Sequence, residues 1–354
     1  MILPWITAVA AAYCILFAIQ IPLRKLSKWW IALISLVLKA ALATGLAFLC
    51  LGVSFVMPLV ITLAFGVLYI ALWGDAAADL ILIILLLAKK KYKPVPIHIC
   101  GIALSLLYLT YAFVNMQITV PNYHNYSSGK LSHDYKIVFF SDLHYGSAQS
   151  KDSVMKTLSK IRNESPDLII LGGDITDEYT SPDELDFIYE QLGSMGIPVY
   201  FIYGNHDYMT VSNEGLVNVL ESNGIRILRD SEEFINDDLV LLGRDDITSS
   251  GRVPVKELPE LPEDRYVICI DHSPYQYDDI AAGIYDVQLS GHVHAGQLFP
   301  LQFVYDFAED NIYGAFRIGS TDLYVTSGVS GWCFPLRTEE HSYYEVISLS
   351  GIME

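Results

Sequence analysis

The chain has 354 residues, of which 52% are hydrophobic and only 18% charged, so it is too apolar for an ordinary soluble protein. Residues 1–118 carry eight basic and two acidic side chains, whereas residues 119–354 carry 14 basic and 38 acidic ones. The two parts therefore have net charges of +6 and −24, and the acidic part lacks the basic patch that nucleic-acid binding requires.

The first 118 residues have the composition of several membrane-spanning helices, each of which needs about 20 apolar residues. Met1–Leu23 meets this length and is followed by the basic residues Arg24, Lys25 and Lys28. A signal peptide is disfavoured, because in a signal peptide the basic residues precede the apolar run, whereas here they follow it. The apolar stretch from 29 to 88 fits two helices, near 31–55 and 58–88, or three, and a last stretch covers about 95–118.

The basic loops decide between these alternatives, because Lys and Arg keep short loops in the cytoplasm. Four helices place the loops Arg24–Lys28 and Lys89–Lys93 on the same side, whereas five place them on opposite sides. We therefore expect a multi-pass membrane protein with four helices, and with both termini and the acidic part outside the cytoplasm. Lys39, Asp75 and Asp79 fall within these helices, where ionisable residues either serve a function or pair between helices.

The acidic part begins with a polar segment, 119–131, that is predicted to be a linker before a domain over residues 132–354. Short apolar strands and helices then alternate, with strands at 136–140, 167–171 and 198–203 and helices near 151–163, 181–195 and 213–223. This alternation predicts an α/β unit, whose ligands bind beyond the carboxyl ends of the strands. More frequent strands after residue 225 predict a second sheet packed on the first.

Polar residues follow five of the predicted strands. The segments are Asp142-x-His144, Gly173-Asp174-x-x-Asp177, Gly204-Asn205-His206-Asp207, Asp271-His272 and Gly291-His292-Val293-His294. They hold five of the nine histidines, which is unlike the isolated histidines of ordinary protein cores. Carboxylate, imidazole and amide ligands together suit manganese, iron or zinc better than calcium. The segments therefore predict a transition-metal site at the strand ends.

Taken together and in this order, the five segments resemble the calcineurin-like metallophosphoesterase superfamily, over roughly residues 134–350. The run Gly291–Gln297 is similar to that of a bacterial membrane-anchored subgroup with the motif Gly-His-x-His-x-Gly-Gln. Ala295 stands where the family usually has glycine, a departure that removes no ligand. The resemblance implies a four-layer α/β/β/α sandwich with two packed sheets, behind an N-terminal bundle of transmembrane helices.

The resemblance also implies roles for individual residues. Two divalent ions, manganese first and iron or zinc as alternatives, are expected on two ligand sets that share Asp174. One set is Asp142, His144, Asp174 and His294; the other is Asp174, Asn205, His272 and His292. A water or hydroxide that bridges the ions is expected to attack phosphorus in line with the leaving oxygen. His206 is expected to act on the leaving group, with Asp207 orienting it.

The sequence thus predicts a membrane-anchored, metal-dependent phosphoric ester hydrolase that cleaves a phosphate ester or a pyrophosphate bond. Its transmembrane helices favour a lipid-linked or cell-envelope substrate. An inactive membrane receptor or scaffold that only binds a ligand is the alternative, and it is disfavoured because every ligand position is filled. A transporter or sensor with an appended hydrolase is a third possibility, supported only by Asp75 and Asp79.

Overall fold

A computed structural model describes residues 25, 28–52, 59–146, 149–210, 213–275, 285–308, 313–332 and 336–352. The chain divides into two compact units. One contains the N-terminal helices together with the short segments 298–304 and 336–339, and the other contains the rest of the chain from Met116. The predicted first spanning helix, Met1–Leu23, lies outside the described residues.

The N-terminal unit contains three described helices, α1 (Trp29–Gly52), α2 (Leu59–Leu87) and α3 (Pro94–Met116). Each is long and apolar enough to cross a membrane, over Trp29–Leu49, Phe65–Leu87 and Pro94–Met116. Large apolar side chains are exposed along all three, as lipid-facing surfaces require. The prediction of two helices between residues 29 and 88 is confirmed, as is the last one.

Three ionisable side chains are buried between α1 and α2. The Nζ atom of Lys39 lies 2.5 Å from an Asp75 carboxylate oxygen and also pairs with Asp79. The Ser35 hydroxyl donates to the same Asp79 oxygen at 2.7 Å. The pairing between helices that the sequence suggested for these residues is therefore present, and it compensates charge at a depth where isolated charge is costly.

The predicted linker is wrong for its first ten residues, because Thr119–Ser128 form a strand, β1, paired in parallel with β12 (Ser342–Gly351). Thr119 is buried, and Tyr126 packs against the core between the sheets. The segment looks like a tether because it is polar and contains Pro121. An edge strand tolerates both features, since one side of its backbone has no partner strand.

The first sheet has the strand order β1-β12-β2-β3-β4-β5, with β2 at Tyr135–Phe140, β3 at Leu168–Leu171, β4 at Val199–Phe201 and β5 at Arg226–Ile227. Strands β2 to β5 are parallel, so their carboxyl ends meet at one edge. The connecting helices are α4 (Lys151–Asn163), α5 (Pro182–Gly193), α6 (Asp207–Thr210) and α7 (Asn213–Ser222). Apolar residues of α4, α5 and α7 pack on one face of this sheet.

The second sheet has the order β10-β11-β9-β8-β7-β6. Its strands are β6 (Ser231–Ile235), β7 (Leu239–Gly243), β8 (Tyr266–Ile270), β9 (Val287–Ser290), β10 (Gly314–Ile318) and β11 (Thr321–Val325). A short helix, α8 (Leu301–Ala308), and two 3-10 turns at Val255–Glu257 and His294–Gly296 complete the described elements. A continuous apolar core joins residues of both sheets. The predicted architecture, apolar helices followed by an α/β domain with two packed sheets, is confirmed.

Candidate metal centre

All seven predicted ligand residues come together at the carboxyl ends of strands in the two sheets. Two groups of side chains have potential ligand atoms within 4.8 Å of one another. The first group is Asp142, His144 and His294, and the second is Asp174, His272 and His292. Asn205 joins the second group, since its Oδ1 lies 3.0 Å from Nδ1 of His292.

The two groups adjoin each other through Asp174. Its Oδ2 lies 3.0 Å from Nε2 of His272 and 3.8 Å from Nε2 of His144, which belongs to the other group. His144 in turn has its Nε2 3.3 Å from that of His294, and His294 lies 3.4 Å from Oδ1 of Asp142. This arrangement is the one expected if Asp174 is shared between two ions.

The backbone at these positions is held in an uncommon conformation. Five of the candidate ligands have positive φ values between 45° and 72°, a region that residues with side chains seldom adopt. They are Asp142, His144, Asp174, His292 and His294. Such strain persists where the surrounding structure enforces it, and it clusters at functional sites. The loops are therefore shaped to aim these side chains inward.

Two glycines allow the close approach of the loops. A Cβ atom on Gly204 would lie 2.2 Å from Oδ1 of Asp174, and one on Gly291 would lie 2.4 Å from Oδ2 of Asp142. Both contacts are far inside van der Waals distance. This explains in physical terms why the Gly-Asn and Gly-His pairs begin with glycine.

The fit to a metal ion can be tested on His272, which is fully buried. Its Nδ1 lies 2.8 Å from the carbonyl oxygen of Gly172, which can only accept, so Nδ1 donates. In the neutral imidazole, Nε2 then has a lone pair that faces the Asp174 carboxylate at 3.0 Å. Two facing lone pairs need a cation between or beside them, which is either a proton on Nε2 or a metal ion that replaces it. The donor set and its orientation therefore fit divalent metal ions.

The pKa values of the buried site residues agree with a need for positive charge between His272 and Asp174. Burial disfavours the charged imidazole of His272, but the Asp174 and Asp142 carboxylates outweigh it and raise its pKa well above the ordinary value. Burial likewise opposes ionisation of Asp174, but His272 and His206 outweigh it and lower its pKa well below the usual range. Both directions have the same cause, which is that carboxylates and imidazoles pack against each other in a buried site, as expected of ligands of a cation.

His206 has a partner that the sequence did not predict. Its Nδ1 lies 2.9 Å from Oε2 of Glu178, and its ring centroid lies 5.1 Å from that of Trp332. Glu178 follows the Gly173–Asp177 segment directly, and this adjacency to a predicted motif was the only sequence signal for it. The sequence predicted Asp207 as the residue that orients His206, and the structure has Glu178 at Nδ1 of His206.

The Asp207 carboxylate connects the loop after β3 with the loop after β4. Its carboxylate accepts from the backbone N–H groups of Asp174, Ile175, Thr176 and Gly204, at 2.6 to 3.2 Å. Carboxylates that accept several backbone bonds fix loop geometry as a helix cap does. Asp207 thereby positions the backbone of the two ligand loops that carry Asp174 and Asn205.

Two more supporting pairs were not predicted. The Arg252 guanidinium forms a bidentate pair with Asp271 at 3.0 and 2.6 Å, and so fixes the residue before His272. The Gln297 amide bonds the backbone of Trp332 twice, at 2.8 and 3.1 Å, which holds the loop beside His206. Gln297 belongs to the Gly291–Gln297 motif, whereas Arg252 lies 19 residues before Asp271 and outside any motif.

The chain is similar in sequence to proteins of one family. Residues 135–296 match the family model of the calcineurin-like phosphoesterases. A transmembrane protein with metallophosphoesterase domain from Danio rerio is 31% identical over 225 residues, 58% of this chain and 51% of the relative. The chain thus spans about half the length of that relative. An uncharacterized metallophosphoesterase from Campylobacter jejuni is 28% identical over 309 residues, 80% of this chain and 79% of the relative.

Among solved structures, TT1561 of Thermus thermophilus aligns with 55% of this chain and 90% of its own, at 14% identity and a TM-score of 0.40. The family match and the names of the sequence relatives agree on a domain of the phosphoric ester hydrolase class. The candidate ligands described above lie within the matched residues.

Proposed function

We propose that this chain, with a calcineurin-like metallophosphoesterase domain over residues 135–296, is a membrane-anchored hydrolase of phosphate esters or pyrophosphates that uses two divalent ions. The observation that carries the proposal is the pair of adjoining ligand groups around Asp174. Asp142, His144 and His294 hold one ion with Asp174, while Asn205, His272 and His292 hold the other with it. Manganese is the first candidate, with iron and zinc as alternatives.

The chemistry follows from the positions of the side chains. When bound, two adjacent divalent ions lower the pKa of a water molecule and stabilise charge on the phosphoryl group. His206, whose Nδ1 lies 2.9 Å from Oε2 of Glu178, would donate a proton to the leaving oxygen. Trp332 packs beside the His206 ring and limits its movement. Asp207 fixes the backbone of the ligand loops.

The Asp174 ligand provides the most direct test. The purified full chain with Mn²⁺ is expected to hydrolyse p-nitrophenyl phosphate or bis-p-nitrophenyl phosphate. Asp174→Asn should lower kcat/KM by more than about 100-fold, because supporting residues alone cost 10- to 100-fold and Asp174 contributes to both ions. Bound metal, measured by elemental mass spectrometry, should fall with it.

The exposed residue Asp183, at the start of α5, offers a matched control. Asp183→Asn removes one carboxylate without touching the site and should keep full activity and metal content. An Asp174→Asn variant that is as active as Asp183→Asn would refute the shared-ligand role. A wild-type chain that binds two ions yet hydrolyses neither ester would favour a binding protein instead.

The proposal extends to the placement of the domain. The three described helices and the apolar segment Met1–Leu23 support four crossings, and the loops Arg24–Lys28 and Lys89–Lys93 support a cytoplasmic side opposite the domain. External protease should therefore cleave within residues 119–354 in intact cells or spheroplasts. Complete protection of these residues, with cleavage only after lysis, would reverse the orientation.

The membrane helices also support a lipid-linked or cell-envelope substrate, since a bilayer anchor confines the enzyme to substrates at the membrane surface. A panel of phosphorylated lipids and water-soluble phosphate esters, assayed with the full chain in detergent, addresses this part. Equal kcat/KM for both substrate types would argue against a lipid preference.

A further inference from the structure

Helix α4 (Lys151–Asn163) carries an unusual share of the positive charge of the acidic part. Its exposed side chains include four cations and, as the single acidic residue of the helix, Asp152; the cations are Lys151, Lys156, Lys160 and Arg162. The helix thus has a net charge of +3, whereas residues 119–354 together have −24. No basic run is visible along the sequence, because these cations are separated by other residues. The helix places them on its exposed side, which we call the α4 basic face, opposite the side that packs on the first sheet.

The four cations differ from the other Lys and Arg residues of the acidic part in their lack of a carboxylate partner. None of them forms an ion pair with a carboxylate of the described residues. Nine of the other ten basic residues between 119 and 354 do so, and the tenth, Arg337, is fully buried. Within the described part of this region, exposed and uncompensated positive charge is therefore concentrated on the α4 basic face.

A pocket of about 360 Å³ lies between α4 and the beginning of β1. Lys156 and Lys160 line it, together with Gln117, Thr119 and the exposed Met155. Its volume falls within the range of small-molecule sites, which begins at about 300 Å³. Lysine ammonium groups bind phosphate oxygens through charge-assisted hydrogen bonds. A pocket of this size with two lysines in its wall therefore suits the phosphate of an anionic headgroup.

The covalent chain places this pocket beside the end of α3. Met116 is the last residue of α3, which is long and apolar enough to cross a membrane, and it belongs to the same compact unit as the pocket. Gln117 follows it directly, and Lys160 donates to the carbonyl of Thr119 at 2.7 Å. The three residues from Met116 to Thr119 span at most about 11 Å, and a headgroup layer is about 5 to 8 Å thick. The Lys160 ammonium group is therefore close to the headgroups at this end of α3.

From these observations we propose that the α4 basic face docks on the anionic lipid headgroups of the membrane in which α3 is anchored. Anionic lipids give a membrane surface a negative potential that attracts nearby Lys and Arg side chains. The same potential repels the rest of a domain whose net charge is −24. Since α3 holds the domain near the surface, the domain turns its uncompensated cations towards the headgroups. This docking orients the domain and does not require that it hydrolyses a phosphate ester.

Hydroxyl-radical footprinting of Met155 tests the docking on the full chain. Met155 lines the pocket and is 39% exposed, so lipid that covers the α4 basic face should slow its oxidation. The membranes are nanodiscs of dimyristoyl phosphatidylcholine alone and of its equal mixture with dimyristoyl phosphatidylglycerol. We expect oxidation at least about 5-fold slower in the mixture, the factor that corresponds to one lysine at an anionic surface. Met209, which is 46% exposed and lies outside α4, should oxidise equally in both.

Salt and charge variants identify the cause of the protection. About 1 M NaCl, which shortens the Debye length to about 3 Å, should remove it from the wild-type chain. Lys156→Gln combined with Lys160→Gln should also remove it. Lys256→Gln combined with Arg317→Gln removes the same charge from exposed positions elsewhere and should keep the protection. Lys156→Gln alone leaves the bond from Lys160 to Thr119 intact and should lower the protection by itself.

Glycerol 3-phosphate distinguishes a lipid surface from a free phosphate ester. Added to the phosphatidylcholine nanodiscs, it should leave the oxidation of Met155 unchanged, and protection by it would overturn docking on the membrane. Equal oxidation in the two kinds of nanodisc, or protection that survives in the variant without Lys156 and Lys160, would also overturn it. Equal protection of Met209 would overturn the assignment to this face. The salt experiment uses the wild-type chain and stays decisive if a variant does not fold.

Discussion

Both parts of the molecule bury carboxylates, but they compensate the negative charge in different ways. Between α1 and α2, Asp75 and Asp79 share the ammonium group of Lys39, which the chain itself supplies. In the acidic part of the chain, Asp174 faces Nε2 of His272, whose other ring nitrogen already donates to a carbonyl. The Lys39 cluster therefore contains its own cation, whereas the cluster around Asp174 is arranged to receive cations from outside.

The largest expected effect comes from removing the cation of the first cluster. Lys39→Met leaves two buried carboxylates without their ammonium partner and should destabilise the helices by about 3 to 5 kcal/mol. Thermal unfolding of the full chain in detergent, followed by circular dichroism, measures the loss. The metal content of the domain is not expected to change at temperatures where the protein is folded.

The matched control removes the whole cluster at once. Lys39→Met combined with Asp75→Leu and Asp79→Leu replaces buried charges by apolar groups of similar volume, a change that is often neutral or stabilising. This triple variant should therefore be more stable than Lys39→Met alone. If the single variant is as stable as the wild type, Lys39 does not compensate these carboxylates.

A smaller effect is expected from substitution of Glu178. This variant separates the orientation of His206 from metal binding at the candidate metal centre. Glu178→Gln weakens the contact with His206 and should lower kcat about 10- to 100-fold, less than the full contribution of a general acid. KM and metal content should stay close to the wild-type values, because the ligand set is intact. Steady-state kinetics and elemental mass spectrometry of the same preparation measure both.

A double-mutant cycle sharpens this prediction. If Glu178 acts through His206, Glu178→Gln should have no further effect on kcat in a His206→Gln background. Additive losses would show instead that Glu178 acts independently of the imidazole. Glu184→Gln, in the exposed cap of α5, serves as a glutamate control that should leave kcat unchanged.

The smallest effect concerns a third carboxylate, Asp238, which accepts several hydrogen bonds and lies 3.0 Å from Nδ1 of His133. Ser132 donates to it twice, at 2.7 and 2.8 Å, and Tyr135 donates to its other oxygen. Burial by itself would raise the pKa of Asp238, but these hydrogen bonds from Tyr135 and Ser132 outweigh it and hold the pKa below its usual value.

Since the folded-state pKa of Asp238 is depressed, its stabilisation is present above the unfolded pKa of about 3.9 and is lost as the pH falls below it. Asp238→Asn should cost about 1 to 2 kcal/mol at pH 7, and this difference from the wild type should shrink towards pH 3. Thermal unfolding at both pH values measures it. An equal difference at pH 7 and pH 3 would contradict the assigned cause.

The sequence alone predicted those features that depend on residues close together in the chain. Long apolar stretches predict helices α1, α2 and α3, and the short strands before Asp142 and Asp174 predict that these residues lie at the edge of a parallel sheet. The order of five short motifs then predicts the family. These features depend on residues that are close in sequence, so their patterns can be read along the chain.

Only the tertiary structure decided features that depend on contacts between distant segments. The strand Thr119–Ser128 resembles a linker until its pairing with Ser342–Gly351 is seen, because an edge strand needs little apolar pattern of its own. Arg252 reaches Asp271 across 19 residues, and Glu178 contacts His206, a partner that the motifs did not predict. Hydrogen bonds and ion pairs are chosen by three-dimensional distance, whereas motifs record only the order of residues along the chain.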